Sequence, residues 1–447
     1  MKWANNTAYF LLIFCVIFTT VFYGAVHQPT IAFFYFLVFA MLVLWAIDCY
    51  GRGEVRFGSS PIQLPIFLAA AYGVIQIIPF GSYSKSGVDQ IPRIISVDPF
   101  STESAAIHLL SLAFFFFAAL VLLDRASRIR QIVRVITIFG FVFAFFAILQ
   151  GVLSPTKIYG IYERPFGQPY GSFVNRHNFA AYIELTLPIP LALVMTGALK
   201  RDLRLLYLTA VLLMAVALFL SGSRGGLFSL IAEVLLLVII TAPVRKGRRL
   251  ALRLGLGATL LAAVVVGTVF VGGESSLTRI SETAPSKDVT SNRTQIWKVA
   301  GDVILHNFPF GAGLGAFGVA YTSFDTLSGS ERVEQAHNDY LQTAADAGLL
   351  GIMLGGLFLY LLVRTFLRNL QTRNQYRRAV VIGAGGGIFA VLFHSFFDFV
   401  LHTTAVSLLF LVLIALMVAA GFKYTDDLHS EGNAGPNRRN LVPERTR

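Results

Sequence analysis

The chain has little charge and little cysteine. Asp, Glu, Lys and Arg make up 13% of its 447 residues, whereas about 25% is usual in soluble domains. Hydrophobic residues make up 55% and the mean hydropathy is +0.68, which excludes an ordinary soluble protein. The two cysteines, Cys15 and Cys49, fall within or beside predicted apolar helices, so the sequence predicts neither an extracytoplasmic disulfide framework nor a cysteine-based metal site.

The alternating apolar and polar pattern of an outer-membrane barrel is also missing, which excludes that fold. Long apolar runs are present instead. A hydrocarbon core of about 30 Å needs about 20 apolar residues per helix, so the sequence predicts an all-α polytopic membrane protein with about twelve transmembrane helices. The runs lie near 8–26, 30–48, 61–80, 104–123, 132–153, 179–198, 204–221, 226–243, 254–272, 347–366, 379–397 and 405–422.

Basic residues fall mainly on one side of this predicted bundle. With a cytoplasmic N-terminus, most of the 36 lysines and arginines lie in cytoplasmic segments, as the positive-inside rule requires. Both termini are therefore predicted to be cytoplasmic. The net charge of +12 then reflects topology and contact with anionic membrane lipids, and it gives no reason to expect nucleic acid.

Residues 1–422 are predicted to form one transmembrane domain, followed by a disordered cytoplasmic tail at 423–447 that is too polar to fold alone. The longest polar stretch is the loop 273–346, between predicted helices 9 and 10, and we expect it to form a helical periplasmic cap. Inside it, apolar residues at three- and four-residue spacing predict a helix from Asn292 to Leu305. A second helix is predicted to start near His337 and to continue into the membrane.

His337, in the motif His337-Asn338-Asp339-Tyr340-Leu341, is the first candidate for chemistry. The positive end of a helix disfavours imidazolium, so a neutral histidine there can accept a proton. The alternative is a histidine that only caps or hydrogen-bonds the helix end.

Several arginines are predicted on the same outer side, and guanidinium groups pair well with phosphate oxygens. For each one the alternative is a solvated residue or a lipid-headgroup contact. Arg224 differs because it occupies a turn of a few residues between two predicted helices. The set is Arg164, Arg176, Arg224, Arg279, Arg293 and Arg332.

Glu184 lies inside an apolar run, and an intramembrane carboxylate is a functional candidate by default. A structural hydrogen bond or an ion pair to a neighbouring helix is the alternative. Asp398 and His402 are similarly placed in a short turn, and His177 is either a contact or a spectator. The glycines of 313–318 formally match a dinucleotide fingerprint, but they follow a helix rather than a strand, so nucleotide binding is not predicted.

Taken together, these pieces resemble the O-antigen ligase and polymerase family of bacterial envelope glycosyltransferases. The resemblance spans residues 170–402. It is carried by Phe173-Val174-Asn175-Arg176-His177-Asn178, Ser223-Arg224-Gly225, Arg293 before Trp297, Pro309 with its glycines, and His337-Asn338-Asp339-Tyr340-Leu341 followed by Ala347-Gly348.

The resemblance implies a GT-C-like, metal-independent transferase without a cofactor, on the periplasmic face of the bacterial inner membrane. Its donor would be a glycan on undecaprenyl diphosphate, and its acceptor lipid A-core, another glycan or a protein. By this resemblance His337 is the catalytic base, and the diphosphate is bound by Arg224 and Arg293, with Arg176 and Arg279 as weaker members of the same group. Acceptor-binding or supporting candidates are Arg332, Asn338, Glu184 and Asp398.

The residues themselves agree with this chemistry. Breaking a glycosyl–phosphate bond builds negative charge on the leaving oxygen, which fixed cations stabilise. The competing hypothesis is a carrier or flippase for an anionic lipid-linked glycan, which would favour charges along the membrane interior and two similar halves. Few charged residues lie inside the predicted runs, Glu184 among them, so the sequence favours the transferase.

Overall fold

The computed structural model of the protein describes residues 2–58, 60–85, 87–163, 168–241, 293–325 and 332–422. The apolar run predicted near 254–272, the predicted tail at 423–447 and the candidate Arg279 lie outside these residues, as does Arg164. Helices dominate the part that is described. Two short hairpins accompany them, in which Ser82–Lys85 pairs with Val88–Pro92 and Lys157–Ile158 pairs with Tyr162–Glu163, both antiparallel.

Fourteen α-helices are numbered here in chain order over the described residues. The first nine are α1 (Lys2–Val21), α2 (Gln28–Arg52), α3 (Leu64–Ile77), α4 (Pro99–Leu122), α5 (Ala126–Leu153), α6 (Arg176–Thr186), α7 (Pro188–Thr196), α8 (Arg201–Leu220) and α9 (Arg224–Thr241). The others are α10 (Arg293–His306), α11 (Phe317–Thr322), α12 (Asp339–Asn369), α13 (Gln375–His394) and α14 (Thr404–Ala420). Short 3₁₀ helices occupy Tyr23–Ala25, Pro61–Gln63 and Val400–His402.

Nine helical segments among the described residues are long and apolar enough to cross a membrane, with α6 and α7 counted as one span. Two further apolar helices, Pro61–Ile77 and Thr404–Ala420, are shorter. Together they coincide with every predicted run except the one near 254–272. The prediction of an all-α integral membrane protein is therefore confirmed, and the number twelve stays a prediction.

The centre of the bundle is α14, in which every residue is buried. Such a helix is apolar on all sides, which is typical of a helix surrounded by others rather than by lipid. It packs against α13, α4 and α6. The segment that joins α13 to α14 is therefore held at the centre of one end of the bundle.

The break between α6 and α7 falls at Pro188, whose ring removes one backbone donor and interrupts the helix. Helix α13 packs closely over this break. A Cβ on Gly383 would lie 2.7 Å from Ile189 Cα, and one on Gly387 would lie 3.0 Å from the Glu184 carbonyl oxygen. These two glycines therefore allow α13 to approach the break closely, which brings α13 against Glu184.

The described part of the loop 273–346 is helical and has a small core of its own. Helix α10 agrees with the helix predicted over 292–305, and it buries Val299 and Val303 against Phe317 and Tyr321 of α11. Helix α12 then begins at Asp339, where the Asn338 side chain accepts from the backbone N–H groups of the first turn. It runs on into the membrane segment, as predicted, with a kink at Gly348.

Candidate active site

Five parts of the chain meet at one end of the bundle. They are the starts of α6, α9, α10 and α12, and the segment that joins α13 to α14. Asp398, in that joining segment, contacts three of the other parts through Arg293, His337 and His177. A residue predicted as one of several supporting groups is therefore at the centre of the arrangement.

Asp398 is a buried carboxylate with a full set of partners, its side chain only 2% exposed. One oxygen accepts from the Phe399 backbone N–H at 3.0 Å and faces His337 Nδ1 at 3.1 Å. The other accepts from Arg293 Nη2 at 3.1 Å and lies 3.6 Å from His177 Nδ1. Such pairing makes a charge tolerable away from water.

These partners decide the ionisation of Asp398. Burial favours the neutral acid, but the hydrogen bond from His337 and the positive charge of nearby Arg293 outweigh it. They hold the pKa of Asp398 well below its ordinary value. The carboxylate is therefore ionised at neutral pH and accepts the proton that His337 carries on Nδ1.

His337 lies immediately before the N-cap of α12, in the left-handed backbone region with φ 49°. Its Nδ1 is occupied by Asp398, so Nε2 is the nitrogen with the free lone pair. The side chain is 34% exposed, in contrast to its carboxylate partner. With Nδ1 paired to Asp398, the ring is fixed in one orientation, and Nε2 is placed to accept a proton from a molecule at the surface of the site.

Arg293 is the first residue of α10, and both terminal nitrogens of its guanidinium group donate hydrogen bonds to the segment that joins α13 to α14. Besides its bond to Asp398, it donates to the Phe397 carbonyl oxygen. The fork thus fixes a positive charge beside the base. The sequence predicted a role for Arg293 at the site, but it gave no indication that Asp398 would be its partner.

Arg224 and Arg176 begin the two neighbouring helices. The start of α9 lies against the joining segment, since a Cβ on Gly225 would be 3.5 Å from Phe397 Cβ. Arg176, which donates to the Gln168 side-chain oxygen, reaches the same turn, with Nη1 3.5 Å from the Cβ position of Gly222. Three arginines predicted from separate motifs are thus brought to one end of the bundle.

Arg332 is placed differently. Its side chain is 81% exposed and forms an ion pair with Glu334 at 3.2 Å. Among the described residues, the partner of Arg332 does not contact Asp398, whose side-chain partners are Arg293, His337 and His177. The acceptor-binding or supporting role of Arg332 therefore stays a prediction from the sequence.

His177 links the turn before α9 to Asp398. Its Nδ1 lies 2.8 Å from Ser223 Oγ as well as 3.6 Å from the carboxylate. Ser223 also accepts from the Gly226 backbone N–H, so the turn that carries Arg224 is tied to the base by side-chain contacts. Of the two alternatives predicted for His177, the contact is the one that the geometry supports.

Beneath these groups Glu184 and His394 form a second acid–imidazole pair, with Glu184 Oε1 2.9 Å from His394 Nδ1 and both side chains 0% exposed. An ion pair to a neighbouring helix was one of the alternatives predicted for Glu184. His394 was overlooked, although an ionisable residue in an apolar helix is itself a signal. A Cβ on Gly225 would lie 2.7 Å from His394 Nε2, so the pair supports the turn that begins α9.

His177, His394 and Asp398 also have the spacing of metal ligands, since one ligand atom from each lies within 4.8 Å of the others. The chemistry of the set fits a metal poorly. The Asp398 oxygen that faces His177 already accepts from Arg293, so a divalent cation would have to displace a guanidinium and remain beside it. The residues fit a charge-paired network better than a metal centre.

Comparison with known proteins adds the family. Residues 209–355 match the family model Wzy_C, described as O-antigen ligase, and no curated protein matches the chain. The matched range contains Arg224, Arg293 and His337, whereas Asp398 lies beyond it. The resemblance predicted from the motifs is confirmed over this range: residues 209–355 of this integral membrane protein are similar to the O-antigen ligase family.

Proposed function

We propose that this protein is a glycosyltransferase that moves a glycan from undecaprenyl diphosphate to an acceptor hydroxyl at the periplasmic face of the bacterial inner membrane. One observation carries the proposal. The exposed His337 is hydrogen-bonded to a buried Asp398 that Arg293 clamps, and two further arginines begin adjacent helices. A base and several fixed cations at one site are the groups that this reaction needs.

His337 acts as the general base. Its Nε2 accepts the proton of the acceptor hydroxyl while that oxygen attacks the first sugar carbon of the donor. The bond from this carbon to the diphosphate oxygen breaks, and its electron pair leaves with the diphosphate. Asp398 holds the ring in the required tautomer and stabilises the imidazolium that forms, as a carboxylate does in other acid–base pairs. The exposed ring then returns its proton to water.

The arginines stabilise the leaving group. Negative charge grows on the diphosphate oxygen as the bond breaks, so a fixed positive charge there stabilises the transition state more than the ground state. Arg293 is already held in place by Phe397 and Asp398, and Arg224 and Arg176 provide further charge. Arg279 remains a candidate for the same role outside the described residues. We propose that these guanidinium groups replace a metal ion.

The periplasmic orientation rests on the distribution of lysine and arginine along the chain. With both termini in the cytoplasm, the starts of α6, α9, α10 and α12 lie on the outer side. Because the donor is anchored in lipid, a site at the end of a membrane bundle lies at the depth of its diphosphate. Lipid A-core, another glycan and a protein hydroxyl are the acceptor classes.

Deletion of the gene tests the proposal directly. Loss of capped lipopolysaccharide with accumulation of free lipid-linked polymer indicates a ligase, whereas accumulation of single lipid-linked repeat units indicates a polymerase. An unchanged set of envelope glycans in the deletion strain would overturn the proposal.

A further inference from the structure

Two acid–imidazole pairs link two neighbouring loops at the site. His337, in the loop before α12, pairs with Asp398 in the loop before α14, and His402 in the second loop pairs with Asp339, the first residue of α12. The two Nδ1-to-oxygen distances are 3.1 and 2.9 Å. The loops are also joined by hydrogen bonds from the Ser395 hydroxyl to Asp339 and from the Asn338 side chain to the Phe396 carbonyl oxygen. Both imidazoles are therefore fixed through Nδ1, with Nε2 as the outward nitrogen.

The two pairs share a pattern of exposure. The carboxylates of Asp398 and Asp339 are 2% and 9% exposed, whereas the side chains of His337 and His402 are 34% and 40% exposed. In each pair the acid is hidden and the imidazole is accessible. The proposed reaction uses His337 as its base and gives no role to His402.

Phe399 lies between the two imidazoles. Its ring centroid is 4.9 Å from that of His337 and 6.3 Å from that of His402, and both imidazole planes are steeply inclined to it, at 76° and 71°. An apolar ring flanked by a few fixed polar groups is the usual composition of a small-molecule site. A sugar ring matches it, because it has apolar faces and a hydroxylated edge.

The imidazoles of His337 and His402 differ in the hydrogen-bonding role for which they are suited. Partial loss of hydration disfavours the charged form of His402, but the hydrogen bond to Asp339 and the negative charges of Asp339 and Asp346 outweigh it and raise the pKa of His402. His402 is thus suited to donate a hydrogen bond from Nε2, whereas His337 is positioned to accept a proton.

We propose that His337, Phe399 and His402 form the acceptor subsite and that the acceptor is a carbohydrate rather than a protein. The sugar ring lies against Phe399, the attacking hydroxyl points at His337 Nε2, and a second oxygen of the same sugar accepts from His402 Nε2. His402 gains and loses no proton in the transfer. This inference rests on the proposed function and narrows its acceptor, since a serine or threonine side chain has no second hydroxyl to offer.

The test is His402→Gln in the full-length protein, reconstituted in lipid with undecaprenyl-diphosphate-linked glycan as donor. Purified lipid A-core serves as acceptor in one series, a second lipid-linked repeat unit in another, and serine- or threonine-containing peptides in a third. We expect the KM for the glycan acceptor to rise about tenfold, as loss of one charge-assisted hydrogen bond implies, with kcat within about threefold and the KM for the donor unchanged.

Two more variants make the result specific. Phe399→Leu removes the aromatic face and is expected to raise the acceptor KM severalfold, and it carries the test if His402→Gln does not fold. His306→Gln is the matched control: His306 ends α10 with its ring against Phe324, outside both loops, and wild-type kinetics are expected.

The outcomes separate this inference from the proposed function. If His337→Ala abolishes transfer while His402→Gln and Phe399→Leu keep the wild-type acceptor KM, the transferase stands and the acceptor subsite is wrong. A fall in kcat at unchanged acceptor KM would assign His402 to positioning of the loop and overturn the subsite as well. If the wild-type protein transfers glycan only to serine or threonine peptides, the carbohydrate acceptor is wrong. Absence of any transfer by the wild type removes both proposals.

Discussion

Two acid–imidazole pairs lie close together in this bundle and differ mainly in access to solvent. His337 is 34% exposed above a buried Asp398, whereas Glu184 and His394 are both fully buried among α6, α9 and α13. His177 lies between the two pairs, with Nδ1 3.6 Å from the Asp398 carboxylate and its ring centroid 6.4 Å from that of His394. An acid and an imidazole can therefore serve proton transfer in the upper pair, His337 and Asp398. The same two groups can support the fold in the lower pair, Glu184 and His394.

The largest expected effect comes from the upper pair. His337→Ala removes the base, and we expect glycan transfer to fall at least about a thousandfold, within the range of about 10²–10⁴ typical of general bases. The reconstituted protein is assayed by transfer from the lipid-linked donor, and its melting temperature in detergent reports folding. Wild-type transfer by a folded variant would show that His337 is not the base.

Asp398→Asn provides the next largest effect. The amide removes the negative charge that holds the His337 tautomer and stabilises the imidazolium, while it keeps the shape of the side chain. We expect transfer to fall about a hundredfold or more at neutral pH, measured in the same assay. If Asp398→Asn loses less than about threefold in kcat while Asp398→Ala loses most of its activity, Asp398 serves only to hold Arg293. If both variants keep wild-type kcat, Asp398 has no role in the reaction.

The lower pair should respond in stability instead. Glu184→Ala leaves the buried His394 without its partner, and breaking a buried pair costs about 3–5 kcal/mol. A clear fall in melting temperature is expected, with transfer per folded molecule reduced far less than in His337→Ala. Glu184→Gln, which still accepts a hydrogen bond from His394, should lose less. Full stability with abolished transfer in Glu184→Ala would reverse the roles of the two pairs.

The long apolar runs make the helical fold predictable, since length and hydropathy determine which segments can span a bilayer. The helix at 292–305 and the start of α12 could be predicted for similar local reasons. The partnership of His337 with Asp398 could not, because it joins residues 61 positions apart and depends on how α14 holds the loop before it. The pairing of His394 with Glu184 could not be predicted either, because the two residues are 210 positions apart.

Arg224→Lys tests the role of the Arg224 guanidinium group, which lies near the upper pair. Lysine keeps the charge but loses the planar fork that matches diphosphate oxygens, so we expect the rate of transfer to fall about tenfold, with the KM for the lipid-linked donor raised. Arg201→Lys is the matched control, because Arg201 is also exposed and begins a helix, α8, at the end opposite to the start of α9. Equal activity of both variants would mean that a point charge suffices at Arg224.

Removal of metal ions is expected to have the smallest effect. His177, His394 and Asp398 span both pairs, so a metal bound there would join them into one centre. Arg293 occupies the Asp398 oxygen that faces His177, and a guanidinium so close opposes a divalent cation. Treatment with EDTA, followed by transfer assays with and without added Zn²⁺ or Mg²⁺, should change the rate by less than about twofold. A loss of activity that Zn²⁺ restores in the wild type would mean that the two pairs form a single metal centre. His394→Gln removes one ligand of that centre, so in this variant Zn²⁺ should then fail to restore activity.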